Sequence, residues 1–222
     1  VMVWRKRLAD DMPVGEAEAM QMLRDFGVPA VEAVAAASLD EARAAASWTG
    51  YPVVLKTAAG IAHKTEAQGV VLDIADDAPL RTAYEDMERR LGPAVIVAPL
   101  EAAGVEMILG ARQDPQFGPL VSLGMGGVLA ETLHDVQFAL PPFDTAWARR
   151  LVDRLRFRAV LDGVRGAPAA DIDAFCEAAA RFSVMIDALG DSLGEIDLNP
   201  VIVSPSRCTA VDALVVGQEQ KG

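Results

Sequence analysis

The order of predicted helices and strands in the first hundred residues restricts the fold of this chain more than any other feature. Ser38 and Glu41 have the spacing of a capping box, which opens an alanine-rich helix that ends near Gly50. Apolar stretches bounded by turn residues predict strands. The predicted elements of this part are helices at 15–26, 38–50 and 79–91 and strands at 51–56, 70–74 and 94–100. Strands and helices mixed in this order indicate a small α+β lobe.

The second half of the chain also mixes strands with helices and predicts a second α+β lobe. Its predicted elements are strands at 105–112, 119–124, 195–203 and 209–216, a helix capped by Asp144 and a helix at 172–189. The charged residues before the first helix show no regular pattern and are interpreted as a leader. The predicted domains are a leader at 1–14, an amino-terminal lobe at 15–98 and a carboxy-terminal lobe at 99–217. We expect a cleft between the two lobes.

The composition excludes several classes of partner. The chain has 20 basic and 32 acidic residues and a formal charge of −12, so it lacks the positive charge that attracts nucleic acid. No apolar run approaches the roughly 20 residues of a membrane-spanning helix, and no secretory signal is recognised. We therefore expect a cytoplasmic protein with no nucleic acid and no membrane as partner. A nucleotide ligand is compatible with this charge, since it needs only a few cations and backbone amides.

A glycine-flanked loop after the first predicted strand is the first candidate site. Lys56 ends that strand, and the segment at 60–69 contains His63, Lys64 and Thr65. Backbone amides, an ammonium and a hydroxyl can surround phosphate oxygens in such a loop, although the spacing of a P-loop is missing. An ordinary polar hairpin with a solvent-facing Lys56 explains the same residues. His63 is either a structural histidine or a base or phosphoryl acceptor, because neutral imidazole is nucleophilic.

Oxygen-bearing side chains near the end of the chain form the second candidate site. Strand alternation places Glu195, Asp197 and Asn199 on one face, before Pro200 interrupts the pairing as at an edge or a bulge. Asp212, predicted on the following strand, can approach them across the hairpin. Oxygen ligands without histidine or cysteine suit Mg²⁺ that is held partly by substrate phosphates. The alternative is a solvated strand face.

Two further carboxylates and a glycine cluster are also candidates. Glu106 interrupts an apolar strand, and Glu131 follows the glycines Gly124, Gly126 and Gly127. Either carboxylate can face solvent instead of a ligand. The glycines permit a close approach of the backbone or left-handed turns, but they do not indicate a ligand by themselves.

Six segments of the chain stand in an order that is specific to one family. They are Gly50-Tyr-Pro-Val-Val-Leu-Lys56, Ile61-Ala-His-Lys-Thr65, Gln68-Gly-Val70, Asp114-Pro-Gln-Phe-Gly-Pro119, Gly124-Met-Gly-Gly-Val128 with Glu131, and Glu195-Ile-Asp-Leu-Asn-Pro200. In this order they resemble the ATP-grasp domain of the NDP-forming acyl-CoA synthetases, which include ADP-forming acetyl-CoA synthetase. The resemblance extends over residues 15–216. It implies the ATP-grasp fold, in which two α+β lobes enclose a nucleotide cleft.

The resemblance implies a reversible ligase reaction, in which an acid, CoA and ATP become acyl-CoA, ADP and phosphate. ATP or ADP and Mg²⁺ are the implied cofactors. The implied partner is a CoA-binding domain or α subunit of the same enzyme, because no CoA-binding part is recognised in this sequence. The acid and CoA would bind through that partner. A histidine of the ATP-grasp part relays the phosphoryl group between the partner and the nucleotide.

The resemblance also assigns roles to individual residues. His63 matches the relaying histidine, and we expect its loop at 59–68 to be exposed and mobile. Asp197, Asn199 and Asp212 match the region that holds Mg²⁺. The implied nucleotide contacts are Lys56, Lys64, Gly69, Pro99, Leu100 and Glu106.

Two positions depart from the family pattern and leave other functions open. Gln68 replaces a glycine before Gly69, and Ala98 stands where a polar residue is more usual. Gln68 favours an alternative in which the chain is a non-catalytic or regulatory ATP-grasp module of a larger fused protein, such as an acyltransferase. A third class is an acidic interaction domain without nucleotide binding, which predicts no thermal shift with Mg·ATP.

Overall fold

A computed structural model of the chain describes residues 1–10, 12–58, 68–127, 135–164 and 166–218. The chain divides into two compact units. The amino-terminal unit consists of Gly15–Gln21 and Val31–Glu101, and the carboxy-terminal unit consists of Val1–Val14, Met22–Ala30 and Ala102–Gly222. This division differs from the predicted lobes, because its main boundary follows Glu101 and because two segments of the first 30 residues belong to the carboxy-terminal unit.

Both units combine helices with antiparallel sheets, which confirms the predicted α+β class. The helices are α1 (Met2–Leu8), α2 (Glu16–Asp25), α3 (Leu39–Thr49), α4 (Asp77–Leu91), α5 (Thr145–Val152) and α6 (Ile172–Leu189), with 3₁₀ turns at Arg158–Asp162 and Gly190–Ser192. The strands are β1 (Val34–Ala36), β2 (Val53–Thr57), β3 (Val70–Ile74), β4 (Val95–Pro99), β5 (Val105–Asp114), β6 (Gly118–Met125), β7 (Val136–Ala139), β8 (Leu193–Val203), β9 (Cys208–Ala210) and β10 (Leu214–Gly217). No helix within these described ranges is long and apolar enough to cross a membrane.

The amino-terminal unit contains a four-stranded sheet in the order β1-β4-β2-β3. All of its strand pairs are antiparallel. Val53 and Leu55 of β2 pack into one apolar core with residues of α3 and α4, among them Ala46, Leu80 and Tyr84. Because strand side chains alternate between faces, Lys56 projects from the opposite face of this sheet.

The carboxy-terminal unit contains a larger sheet in the order β10-β8-β5-β6-β7, with β9 paired to β8. Helices α5 and α6 contact its strands β6, β7 and β8. In the central strand β5, Met107, Leu109 and Ala111 are buried, whereas Glu106 and Arg112 are exposed. One face of the sheet therefore forms a core, and the other carries polar side chains.

Local sequence signals account well for several elements. The Ser38 hydroxyl accepts a hydrogen bond from the Glu41 amide, and Glu41 Oε2 accepts one from the Ala37 amide at 2.7 Å. The Asp144 carboxylate accepts from the Trp147 amide at 2.7 Å and caps α5. These cap hydrogen bonds satisfy backbone amides that have no partner inside the helix. The predicted bounds of β3 and α6 are confirmed to the residue.

Other elements correct the predictions made from the sequence. Residues 2–8, expected to be irregular, form α1, whose Leu8 is buried and whose Arg5 donates to the Ala188 carbonyl. The short strands β1 and β7 were not predicted. The strand expected at 209–216 is two strands, β9 and β10, so Asp212 lies between strands and not on one.

Candidate functional site

The face of the larger sheet that lies opposite its buried residues is termed the open face, defined by Glu106, Gly110, Ser122, Asp197 and Phe138. Four of these residues occupy one row across β8, β5, β6 and β7, because Asp197 is directly opposite Gly110, Gly110 is opposite Ser122, and Ser122 is opposite Phe138. Directly opposed residues project to the same side of a sheet. On the open face, Asp197 of β8 and Ser122 of β6 therefore lie on either side of Gly110 of β5.

Strand β8 supports the prediction that three oxygen-bearing side chains share a face. Glu195 and Asn199 are exposed and Asp197 is half-buried, whereas Ile196 and Leu198 between them are buried. The strand continues beyond Pro200 to Val203, and the pairing of β5 with β8 shifts register in this region. Of the two alternatives for Pro200, the structure therefore shows a bulge in a central strand.

The carboxyl group of Asp197 is partly buried and is subject to the charge of two other carboxylates. Burial raises its pKa above the ordinary value for an aspartate, and the negative charges of Glu195 and Asp212 raise it further. A Cβ atom placed on Gly110 would lie 2.7 Å from Ser122 Oγ and 3.7 Å from Asp197 Oδ1. The glycine therefore leaves space beside this carboxylate that any side chain would fill.

These residues fit a Mg²⁺ ion. Asp197, Asn199 and Asp212 supply two carboxylates and one amide oxygen, and the acidic environment of Asp197 provides charge that a cation would neutralise. Among the residues that the structure describes, no group of three or more His, Cys, Asp or Glu side chains is placed to hold a metal. Mg²⁺ commonly binds one or two carboxylates together with substrate phosphates, so this donor set suits an ion that arrives with a nucleotide.

The glycine cluster after β6 packs closely against the start of β5. The Gly126 amide donates to the Glu106 carbonyl at 2.8 Å. Gly127 has a φ of 66°, and a Cβ atom there would lie 2.5 Å from Glu106 Oε2. A Cβ atom on Gly124 would lie 2.5 Å from the Asp135 carbonyl oxygen. These glycines thus permit a close approach between strands and place the Glu106 carboxylate beside the chain that leaves β6.

Lys56 lies in a different environment from the one expected for a solvent-facing residue. Its side chain is 7% exposed, and its Nζ lies 2.7 Å from Oε1 of Glu16, whose side chain is 4% exposed. Both residues belong to the amino-terminal unit. Glu16 carries no distinguishing signal in the sequence, because an acidic residue in the first turn of a helix is ordinary and nothing in the pattern links it to position 56.

The remaining implied nucleotide contacts are at the ends of strands. The Gly69 carbonyl accepts from the Thr57 amide at 2.8 Å, and Gln68 before it has a φ of 52°. The Leu100 amide donates to the Pro52 carbonyl at 3.1 Å, and Pro99 has no amide hydrogen. His63, Lys64, Thr65 and Glu131, together with most of the loop at 59–68, lie outside the described residues.

Comparison with known proteins identifies similar chains. The family model described as an ATP-grasp domain matches residues 8–216. The chain is 35% identical over 212 residues to the β subunit of ADP-forming acetate–CoA ligase II from Pyrococcus furiosus, covering 90% of each. It is 39% identical over 214 residues to a trans-feruloyl-CoA synthase of an unknown prokaryotic organism, covering 91% of this chain but 30% of that relative.

A solved structure agrees with this similarity. The dinucleotide-forming acetyl-coenzyme A synthetase 1 from Ca. Korarchaeum cryptofilum, in complex with coenzyme A, Ca-AMPCP and HgCl⁺, matches with a TM-score of 0.89. The match has 30% identity and covers 98% of both chains. The chain thus spans less than a third of the trans-feruloyl relative but nearly all of the Pyrococcus subunit and of the solved chain.

Proposed function

The chain belongs to the ATP-grasp family that includes the β subunits of ADP-forming acetate–CoA ligases, and we propose that it is the nucleotide-binding, phosphoryl-transferring part of an ADP-forming acyl-CoA synthetase. The overall reaction joins an acid, CoA and ATP to give acyl-CoA, ADP and phosphate. The observation that carries the proposal is the extent of the match, since this chain and the Pyrococcus β subunit cover 90% of each other.

Mg²⁺ is held in this proposal by Asp197, Asn199 and Asp212, together with oxygens of the nucleotide. When bound, the ion neutralises negative charge on the transferring phosphoryl group. The alternation of β8 supports the first two ligands, because it places both on the open face. The third ligand is supported by electrostatics: the charge of Asp212 raises the pKa of Asp197, which requires the two carboxylates to lie near each other.

The nucleotide phosphates are bound in this proposal by Lys56, Lys64 and the backbone around Gly69. Cations and amides at phosphate oxygens stabilise the charge that develops during phosphoryl transfer. Glu106 supplies a further acceptor for the nucleotide at the start of β5. The resemblance of the segments around these residues supports the assignment, and the position of Lys56 away from the apolar core is compatible with it.

The base is recognised in this proposal at Pro99 and Leu100. Pro99 lacks an amide hydrogen, and the Leu100 amide already donates to Pro52. Carbonyl oxygens are therefore the groups that these two residues offer to a base. Adenine presents an amino group where guanine presents a carbonyl oxygen. We expect ATP and ADP to be preferred over GTP and GDP for this reason.

The enzyme requires a partner in this proposal. The match covers 90% of a β subunit in one relative and 30% of another, so a CoA-binding domain or α subunit supplies the rest. The acid and CoA bind to that partner. His63 relays the phosphoryl group between nucleotide and partner. In the direction of acyl-CoA formation, its imidazole nitrogen forms a bond to the γ-phosphorus of ATP as the bond from that phosphorus to the bridging oxygen breaks and ADP leaves; the phosphoryl group then passes from this nitrogen to an acceptor on the partner.

Calorimetric titration with Mg·ADP and Mg·ATP tests the nucleotide site, and reconstitution with the CoA-binding subunit of a related enzyme tests the reaction. We expect the chain alone to bind nucleotide and to form no acyl-CoA. The reconstituted enzyme should form acyl-CoA. Absence of nucleotide binding would refute the proposal and favour an acidic interaction domain, and acyl-CoA formation by the chain alone would refute the need for a partner.

The relay role of His63 has its own test. His63→Ala should retain Mg·ADP affinity, because the phosphates and Mg²⁺ are bound by other residues, but the reconstituted enzyme should lose turnover. His134→Ala is the matched control, since it removes the other histidine of the chain. Retained turnover in His63→Ala would remove this residue from the relay.

A non-catalytic ATP-grasp module is the second candidate, and the observation that favours it is Gln68. This residue adopts a φ of 52° at a position where the family pattern in the resemblance commonly has glycine. A positive φ is unfavourable for a residue with a Cβ atom. A non-catalytic module would bind Mg·ADP but give no turnover with any CoA-binding partner. Gln68→Gly would then increase nucleotide affinity, whereas it should leave the affinity of a catalytic chain nearly unchanged.

A further inference from the structure

Lys56 is a charged residue on a strand whose neighbours are apolar. Its opposite residues on the two adjacent strands are Ile96 and Val70, and neither offers a countercharge. Glu16 supplies one from α2, which begins 40 residues earlier in the chain, and the two charged atoms lie 2.7 Å apart. The pair joins α2 to β2 within the amino-terminal unit.

Stability alone does not explain such a pair. Removing two charges from water is expensive, and a buried ion pair is often no more stabilising than apolar side chains of similar volume. Val54, two residues before Lys56 and on the same face of the strand, is buried, so this face accommodates an apolar side chain. The presence of an ammonium at this position is better explained by a task that requires positive charge.

We infer that Glu16 is a positioning residue for Lys56, holding its ammonium on the face of the β2 sheet from which it contacts the nucleotide phosphates. This inference rests on the proposed function, because it takes Lys56 as a phosphate ligand. Glu16 itself acts through Lys56 and contacts no phosphate, since a carboxylate would repel it.

The physical basis is preorganisation of a flexible side chain. A lysine side chain has four rotatable bonds, and immobilising it during binding weakens affinity. Glu16 orders the side chain before the nucleotide arrives, so this entropic cost is met during folding. Loss of Glu16 should therefore weaken nucleotide binding without removing a nucleotide contact.

A double-mutant cycle on nucleotide affinity tests the inference. The variants are Glu16→Gln, which keeps the shape of the side chain, Lys56→Gln, whose amide can still donate to Glu16, and the combination of both. Mg·ADP dissociation constants and melting temperatures are measured for each protein. Glu32→Gln is the matched control, because it removes the same charge from an exposed position of the same unit.

We expect Glu16→Gln to weaken Mg·ADP binding about 3- to 10-fold, the range for one immobilised side chain. Lys56→Gln should weaken it about 10- to 100-fold, as for a lost hydrogen bond to a charged group. In the Lys56→Gln background, Glu16→Gln should have no further effect on affinity, and Glu32→Gln should be neutral throughout.

Two results would overturn the inference. An equal loss of affinity from Glu16→Gln with and without Lys56 would show that Glu16 acts on the fold generally. Unchanged affinity in Glu16→Gln would show that Lys56 needs no positioning. Failure of the proposed function is distinguishable from both results, because the unaltered protein would then bind no Mg·ADP. If Lys56→Gln does not fold, melting temperature and affinity of Glu16→Gln decide: lower stability with unchanged affinity contradicts the positioning role.

Discussion

The buried pair of Glu16 and Lys56 predicts an unusually large response to one substitution. Lys56→Met replaces the ammonium by a thioether and keeps an unbranched side chain of similar length. The Glu16 carboxylate, 4% exposed in the folded protein, then loses the cation that lies 2.7 Å from it. Because removing one partner of a buried ion pair takes away attraction that offsets the desolvation of the other charge, we expect the free energy of unfolding to fall by about 3–5 kcal/mol.

This loss is large relative to the stability of an ordinary domain. Domains unfold with about 5–15 kcal/mol, so the variant should lose a large part of its stability while remaining folded at low temperature. For a chain of 222 residues, about 2–4 °C of melting temperature corresponds to each kcal/mol, which gives a decrease of about 6–20 °C. Urea unfolding followed by circular dichroism measures the free energy, and calorimetry measures the melting temperature.

Two controls separate charge from packing. Glu16→Leu combined with Lys56→Met removes both charges of the pair, and it should recover most of the loss because neither charge then has to be desolvated. Arg43→Met breaks the exposed pair with Asp77 in the same unit, and its effect should be much smaller because solvent screens that pair. If Lys56→Met costs no more than Arg43→Met, or if the double variant is no more stable than Lys56→Met, the reasoning is wrong.

Three further predictions concern the metal site, the loop end and the cysteines. Asp197→Asn should stabilise the free protein at neutral pH and abolish Mg·ADP binding. The pKa of Asp197 is raised in the folded state, so its ionised carboxylate destabilises the fold at any pH above the pKa of the unfolded chain. The gain in the free energy of unfolding should therefore vanish below about pH 3, where carboxyls of the unfolded chain are protonated. Equal gains at both pH values, measured by urea unfolding, would contradict this. Gln68→Gly should raise the free energy of unfolding by up to about 1 kcal/mol, because a left-handed φ is unfavourable for a side chain with a Cβ atom; a loss of stability would refute it. Burial raises the pKa of Cys176 to about 11 and that of Cys208 to about 12, so neither thiol should react with a disulfide reagent at pH 8 until the protein is unfolded. Rapid labelling of the folded protein would show that a thiol is accessible.

The order of segments along the sequence was sufficient to identify the family and the fold. The predicted ATP-grasp resemblance is confirmed, because the family model matches residues 8–216 and a solved chain matches with a TM-score of 0.89. Local signals were also sufficient for the Ser38 cap, the Asp144 cap and the full length of α6. Such signals are contacts between residues three or four positions apart, so they can be read directly from the sequence.

The alternation of β8 was equally readable. A strand turns successive side chains to opposite faces, so the pattern around Asp197 determined that Glu195 and Asn199 share its face. The same reasoning placed Asp212 on a strand, where the structure has a break between β9 and β10. Alternation specifies a face only while the strand continues, and the ends of strands depend on pairing with other strands.

Tertiary structure alone decided the environment of each candidate residue. It placed Lys56 in a buried ion pair with Glu16, although the sequence allowed a solvent-facing lysine. It gave Gly126 and Gly127 their role beside Glu106, and it brought Gly110 beside Asp197. These contacts join residues 20 to 87 positions apart in the chain. No local pattern records them, because they arise only when separate strands and helices pack against one another.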